Sequence, residues 1–411
     1  MTIRQWEKRL RDLWILLEHC HATYMEPDIF RMNINQFLQT SRTVTFIIQK
    51  NKASIPDFET WYGGAIQDWA TNPIMVWAKD SRNKIEKEGD LELNSTLNLC
   101  LIFSYIVEQD VKIITGRSEL LKAGTKKLIR FARKNMPSHV IESSAIKIER
   151  RWVANSLPGW ELLHAFNYIY RTLYMTCRDL AKHLGSVIDA TVPDPTALFY
   201  VYETARQVRY LKLSDLKCHY QHIKRVPVDR MYKPPETMAA TMHRIQDNVS
   251  RADSTEKIFE ALSEMAEMMF ERDGFHVPML FMLDRHHTII DFMSVEFNDQ
   301  VEKYIFWRNI SDRFVANKAA SVVWICEAWI RDANKLNSLA INKLSIIGER
   351  LYINLLDDTG ISKSAGWEII RSIDGQNMAL KKLEYDDLNG KIPFFFAPIL
   401  HAIGLPYPDY F

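Results

Sequence analysis

The sequence predicts an α + (α+β) protein, an N-terminal helical bundle or array followed by a smaller domain with a mainly antiparallel sheet and covering helices. Three observations carry that prediction. Apolar residues recur at helical spacing from about residue 2 to residue 235. Beyond that point the period changes to short apolar runs broken by turn residues. A chain of 411 residues also exceeds one typical hydrophobic core and suits two domains.

The first helix is expected over 4–22, where Trp6, Leu10, Leu13, Trp14 and Leu17 share a face. A longer one covers 29–50, and a third covers 57–70. The third stops before Asn72-Pro73 because a residue preceding proline is pushed out of the helical well. Pro73 then suits the first turn of a helix over 73–88. The same spacing predicts helices over 91–115, 117–134, 140–155, 158–186 and 196–215, with Pro158 and Pro193-Asp194-Pro195 as punctuation. This gives an all-helical domain over 1–235, divisible near 135–158. Pro227 and Pro234-Pro235 lead into a connector over 236–252. The α+β domain occupies 253–411. It starts with a helix over 253–272, then a hairpin with strands at 275–283 and 288–295 around Asp284-Arg285-His286-His287. A helix over 298–317 and a buried strand from Ala320 to Ile330 follow. Gly348-Glu349-Arg350 reads as the turn of a second hairpin. Asp374-Gly375 reads as the turn of a third, between 367–373 and 378–384.

Composition narrows the function classes. The 52 basic and 51 acidic side chains leave a formal charge of +1. Such a balance gives no long-range field to gather a polyanion, so nucleic-acid contact requires a local patch. Five widely spaced cysteines without a CxxC pair argue against a zinc or iron–sulfur centre and for a reducing compartment. Charges interrupt every apolar run before about 18 residues, which predicts a soluble, cytoplasmic protein without membrane contact. Walker A, dinucleotide-glycine, GxSxG, HExxH and EF-hand patterns are absent, so no cofactor is implied.

The segment with most chemistry is Asn72 to Glu88. Ile74, Trp77, Ala78, Ser81 and Ile85 form its buried stripe. Arg82 and Asn83, adjacent and about 100° apart around the axis, fall at the stripe's edge and can face a groove. There a guanidinium is a planar multi-donor for phosphate, and an amide beside it can orient a hydroxyl. In this Arg-Asn pair the chain resembles the HEPN superfamily, whose members are helical bundles, often dimeric. Many of them are metal-independent ribonucleases in toxin, defence and RNA-processing systems. The resemblance covers residues 30–120. It implies that Arg82 and Asn83 are catalytic, with Lys87 standing where the family's histidine belongs; the alternative is a surface arginine whose charge pairs with Asp80, Glu86 and Glu88. A lysine there neutralises a phosphate but is a poor general base near neutral pH. Two copies packed through this helix would share one cleft, making a homodimer a candidate state.

A polar ladder of Asn35, Gln39 and Arg42, extended by Arg31 and Thr45, can line a pocket with Arg82, to which Trp61-Tyr62 would add stacking rings. Cys218, His219 and His222 could begin a zinc site, for which a fourth ligand has to come from farther along the chain, Asp229 and His243 being nearest. In the second domain Asp284, His286 and His287 form a polar hairpin tip that could carry acid–base chemistry. Glu327, inside an apolar strand, must be paired or face a cleft. Two functional classes follow. One is a divergent HEPN-like effector acting on RNA. The other is a non-catalytic adaptor or regulatory protein binding an RNA or protein partner, with a structural component whose aromatic residues lie in interfaces as a third alternative.

Overall fold

A computed structural model describes residues 4–113, 118–134, 136–195, 207–219, 236–332, 334, 344–371, 378–384 and 391–408. N-terminal helices are followed by antiparallel sheets with helices against them, as the sequence predicts. The chain divides into two compact units, Met1–Leu101 with Val111–His219, and Ile102–Asp110 with Tyr220–Phe411.

The first unit begins with α1 (Gln5–Thr23), α2 (Pro27–Lys50), α3 (Phe58–Thr71) and α4 (Pro73–Lys87). All four lie within a residue or two of the expected bounds. Strand β1 (Leu93–Ile102) and β2 (Val111–Ile113) follow, then α5 (Ser118–Leu121), α6 (Thr125–Arg133) and α7 (Ser138–Ser143). Strand β3 (Ala145–Ala154), α8 (Leu162–His183) and β4 (Gln207–Lys212) complete the unit. Its sheet has the order β2-β1-β3-β4, with β1–β2 and β3–β4 antiparallel.

That sheet corrects three helical expectations, over 91–115, 140–155 and 196–215; of the last, residues 196–206 lie outside those described. The physical reason is visible in β3. Its buried positions alternate through Ile146, Ile148, Arg150, Trp152 and Ala154, a strand period that the charge of Arg150 disguises. Arg150 is fully buried, and two carbonyls accept from its terminal nitrogens while its Nε stays without a partner among the described residues: the guanidinium donates to Ala123 O at 2.6 Å and to Met25 O at 3.2 Å. Burial lowers its pKa to about 10, so it remains charged near neutral pH. In β1 the alternation of Leu97, Leu99 and Leu101 with Asn98 and Cys100 makes the same pattern.

The second unit contains α9 (Glu236–Ser250), α10 (Thr255–Asp273), β5 (Met279–Leu283), β6 (Ile289–Ser294) and α11 (Gln300–Ala316). It continues with β7 (Ser321–Arg331), β8 (Ile346–Asp357), β9 (Ser362–Arg371), β10 (Met378–Lys382) and α12 (Ala397–Ala402). The sheet order is β10-β9-β8-β7-β5-β6, and every pair of neighbours is antiparallel. Phe281, Val323, Ile325 and Leu351 share one cluster with Ile258, Leu262 and Phe270 of α10. Leu280, Val322 and Trp324 share another with Phe306, Ile310 and Ile399. Both faces are thus buried, and the central strands read as continuous apolar runs.

Two further expectations change. The stretch read as a connector over 236–252 is largely helix α9, which buries Ile245 and pairs Arg244 with Glu264 of α10. Gly348 is not a turn. It sits inside β8 opposite Ile330 of β7, because pairing with two neighbouring strands outweighs the local turn signal. The β5–β6 and β9–β10 hairpins form as expected, the latter with Met378 opposite Arg371; the turn at 372–377 lies outside the described residues.

Candidate ligand-binding cavity

In the first unit α2, α3, α4 and α8 enclose a cavity of about 420 Å³. The start of α4 shapes one wall. Asn72 caps this helix, its side-chain oxygen accepting from the Ile74 and Met75 amides at 3.0 and 3.2 Å, while Pro73 occupies the first turn. The Asn72 amide also donates to the Tyr168 hydroxyl on α8 at 2.6 Å, tying the α3–α4 corner to the long helix behind it.

One side of the cavity is apolar: Ile66 and Trp69 from α3, Met75 and Val76 from α4, Ile169 and Leu173 from α8. The polar lining comes mainly from α2, with Ser41, Arg42, Thr45 and Gln49, joined by Tyr62 from α3 and exposed Lys79 from α4. These polar groups are pre-arranged. Arg42 donates to Thr45 Oγ1 at 2.9 Å, Thr45 donates to the Arg42 carbonyl at 2.9 Å, and Gln49 donates to the Tyr62 hydroxyl at 2.7 Å. Burial raises the pKa of Tyr62, so its hydroxyl stays protonated at neutral pH. The Arg42 guanidinium also lies 4.2 Å from the centroid of the exposed Phe46 ring, a cation–π arrangement.

Among the described residues no carboxylate or imidazole lines the cavity. Among the described residues neither Arg42 nor Lys79 has a carboxylate partner. The contrast with Arg82 is direct. Arg82 is half-buried one turn beyond the cavity wall, 5.6 Å from the same Phe46 ring. Its guanidinium donates to Asn83 Oδ1 at 3.1 Å and is paired with Glu86 at 2.8 Å. The sequence-predicted pair thus closes on itself, and Lys87 is the exposed last residue of α4.

The polar ladder of α2 divides. Asn35 donates to Asp90 at 2.6 Å, and Arg31 pairs with the same carboxylate. Gln39 is half-buried and does not line the cavity, whereas Arg42 does. Lys79, Gln49 and Ser41 were missed in the sequence. Gln49 was findable, standing seven residues from Arg42 on one helix face. Lys79 was not, since only the α2–α4 packing brings it to Arg42.

The other sequence candidates lie apart. Cys218 is half-buried with a raised pKa from burial, and exposed His219 pairs with Asp215 at 2.8 Å; His222 lies outside the described residues. Among the described residues no group of three His, Cys, Asp or Glu side chains is placed to hold a metal ion. In the second unit Asp284, Arg285 and His287 border an open hollow with Asp357 and Asp358. The acids there shape turns. Asp284 accepts from the His286 and Thr288 amides at 2.8 and 2.9 Å, and Asp357 accepts from the Thr359 and Ile361 amides at 2.9 Å each. The bond from the Thr288 amide leads the causes that lower the Asp284 pKa, so this group is a hairpin brace and not a proton donor near neutral pH. Glu327 is half-buried and accepts from the backbone amide of buried His276 at 2.5 Å. Burial raises the Glu327 pKa and lowers that of His276.

A buried carboxylate escaped the sequence reading altogether. Glu161 caps α8 by accepting from the His164 amide at 3.0 Å, and it accepts from the Tyr24 hydroxyl at 2.6 Å. The same hydroxyl accepts from the Trp152 amide at 3.0 Å. Burial pushes the Glu161 pKa up to about 7, against these hydrogen bonds.

Among the described residues no helix is long and apolar enough to cross a membrane. The family described as Bacteriophage lambda protein ea47 matches residues 2–410. The chain is 40% identical to Protein ea47 of Escherichia phage lambda over 405 residues, which cover 98% of each chain. No solved structure matches it.

Proposed function

The chain belongs to the Bacteriophage lambda protein ea47 family, and we propose that it acts as a non-catalytic binding protein whose site is the α2–α3–α4–α8 cavity. The observation that carries this reading is a cavity lined by apolar residues together with two cations, half-buried Arg42 and exposed Lys79, neither of which has a carboxylate partner among the described residues. Such a surface selects and holds a ligand. Among the described lining residues there is no carboxylate or imidazole, and burial holds the Tyr62 hydroxyl protonated, so it is no general base near neutral pH.

An RNA-cleaving reading of the HEPN type would need Arg82 and Asn83 free to meet a phosphate and a neighbouring proton acceptor. Arg82 instead spends donors on Asn83 and Glu86, and Lys87 occupies the acceptor's place. The test is to incubate the purified full-length protein with labelled single-stranded and hairpin RNAs, with and without added divalent cations. Intact RNA is expected throughout. Cleavage abolished by Arg82→Ala would overturn the binding reading and restore the nuclease.

A further inference from the structure

We propose that the cavity is a site for a small amphipathic anion, a one- or two-ring apolar body carrying a phosphate monoester or a carboxylate; this rests on the binding reading above. Size, polarity and charge converge on that class. A volume of about 420 Å³ falls in the small-molecule range of roughly 300–1,000 Å³. It is too small for a folded partner element and too large for a lone inorganic ion. The Trp69, Met75, Ile169 and Leu173 side removes apolar surface from water, which sugars and bare phosphates do not supply.

The opposite side sets the charge. Thr45 and Tyr62 are 3% and 5% exposed and already hydrogen-bonded to Arg42 and Gln49, so the ligand need not satisfy them. Arg42 uses one nitrogen on Thr45 and is steadied over Phe46. A guanidinium carries five N–H donors, so it retains donors for a bidentate oxyanion. Exposed Lys79 on α4, which also lines the cavity, adds a second positive charge. Two cations without a carboxylate partner among the described residues, beside a partly desolvated cavity, favour an anion and disfavour cationic or neutral competitors. The nearby Arg31 and Arg82 are compensated, by Asp90 and Glu86, so the imbalance is local to the cavity.

The test is titration calorimetry on the full-length protein with 1-naphthyl phosphate, 1-naphthoate, uncharged 1-naphthalenemethanol and inorganic phosphate. At least one anionic naphthyl compound is expected to bind about tenfold or more tighter than the alcohol and than inorganic phosphate, the worth of one charge-assisted contact. Comparison of the two anions then identifies the headgroup. Arg42→Met and Lys79→Met should each remove about tenfold of that preference, with the alcohol's affinity affected less than either anion's. Arg82→Met should change neither. Equal affinity for alcohol and anions overturns the anion assignment and leaves the cavity as a binding site. Binding of none of the four overturns both readings. A loss with Arg82→Met equal to that with Arg42→Met overturns this placement of the site.

Discussion

Arg308 on α11 holds Asp110 through two parallel hydrogen bonds of 2.8 Å each, with side-chain exposures of 3% and 11%. Arg308 also donates to the Ser104 carbonyl at 3.4 Å. The segment Ile102–Asp110 belongs to the second unit for this reason, together with the Gln300–Tyr105 and His401–Glu108 contacts at 2.9 and 3.1 Å. Breaking a buried pair from one side strands the other charge, at a cost of about 3–5 kcal/mol. Arg308→Ala should therefore lower the unfolding free energy by about that much, measured by urea denaturation. Arg308→Lys should recover only part of it, since an ammonium cannot reproduce the two-pronged geometry. A wild-type midpoint in either variant would contradict the assignment.

Glu161 makes stability depend on pH. Its folded-state pKa is raised by burial to about 7 from the ordinary 4.5. Between those values the native state keeps a proton that the unfolded chain has lost. Stability is therefore full below the lower value, falls as pH rises through about 7, and is flat beyond it. At about 1.4 kcal/mol per unit, the loss across the window is roughly 2–4 kcal/mol. Glu161→Gln should flatten this slope in denaturation curves recorded from pH 5 to 8. An unchanged slope would place the titrating group elsewhere.

Asn72 fastens the corner that shapes the cavity. Asn72→Ala removes the cap of α4 and the bond to Tyr168, and should cost about 1–2 kcal/mol in thermal unfolding. Asn72→Asp keeps the cap acceptor but loses the amide donor, so it should fall between the two.

Arg82→Ala should cost less than about 1 kcal/mol, because the Arg82–Glu86 pair is 23% and 40% exposed. A much larger loss of stability would show that Arg82 has a buried structural role.

Gly348 distinguishes a strand from a turn. A Cβ there would meet nothing closer than Ile330 Cβ at 3.9 Å, and its φ is not positive. Gly348→Val should leave stability unchanged or raise it by about 0.5–1 kcal/mol, as expected for a strand interior. A loss of that size would mean the backbone needs glycine.

The helices that build the cavity were legible because their signals are local. Pro73 and Asn72 mark a helix start from sequence neighbours alone, and the buried stripe Ile74, Trp77, Ala78 and Ser81 repeats at 3.6. The sheet of the first unit was not. Arg150 breaks the apolar alternation of β3, and its burial depends on carbonyls of Met25 and Ala123, far away along the chain.

The same division holds for the site. By itself the sequence determined helices α1–α4, an antiparallel C-terminal sheet, near-neutral charge and the placement of Arg42 and Arg82 on two amphipathic helices. Glu86, one turn along α4, neutralises Arg82 in a pairing open to sequence reasoning. Only the tertiary structure decided that Arg42 and Lys79 line one cavity, with no carboxylate among its described lining residues. Helical periodicity fixes which face a residue occupies, but the charge left over on that face depends on which elements pack against it.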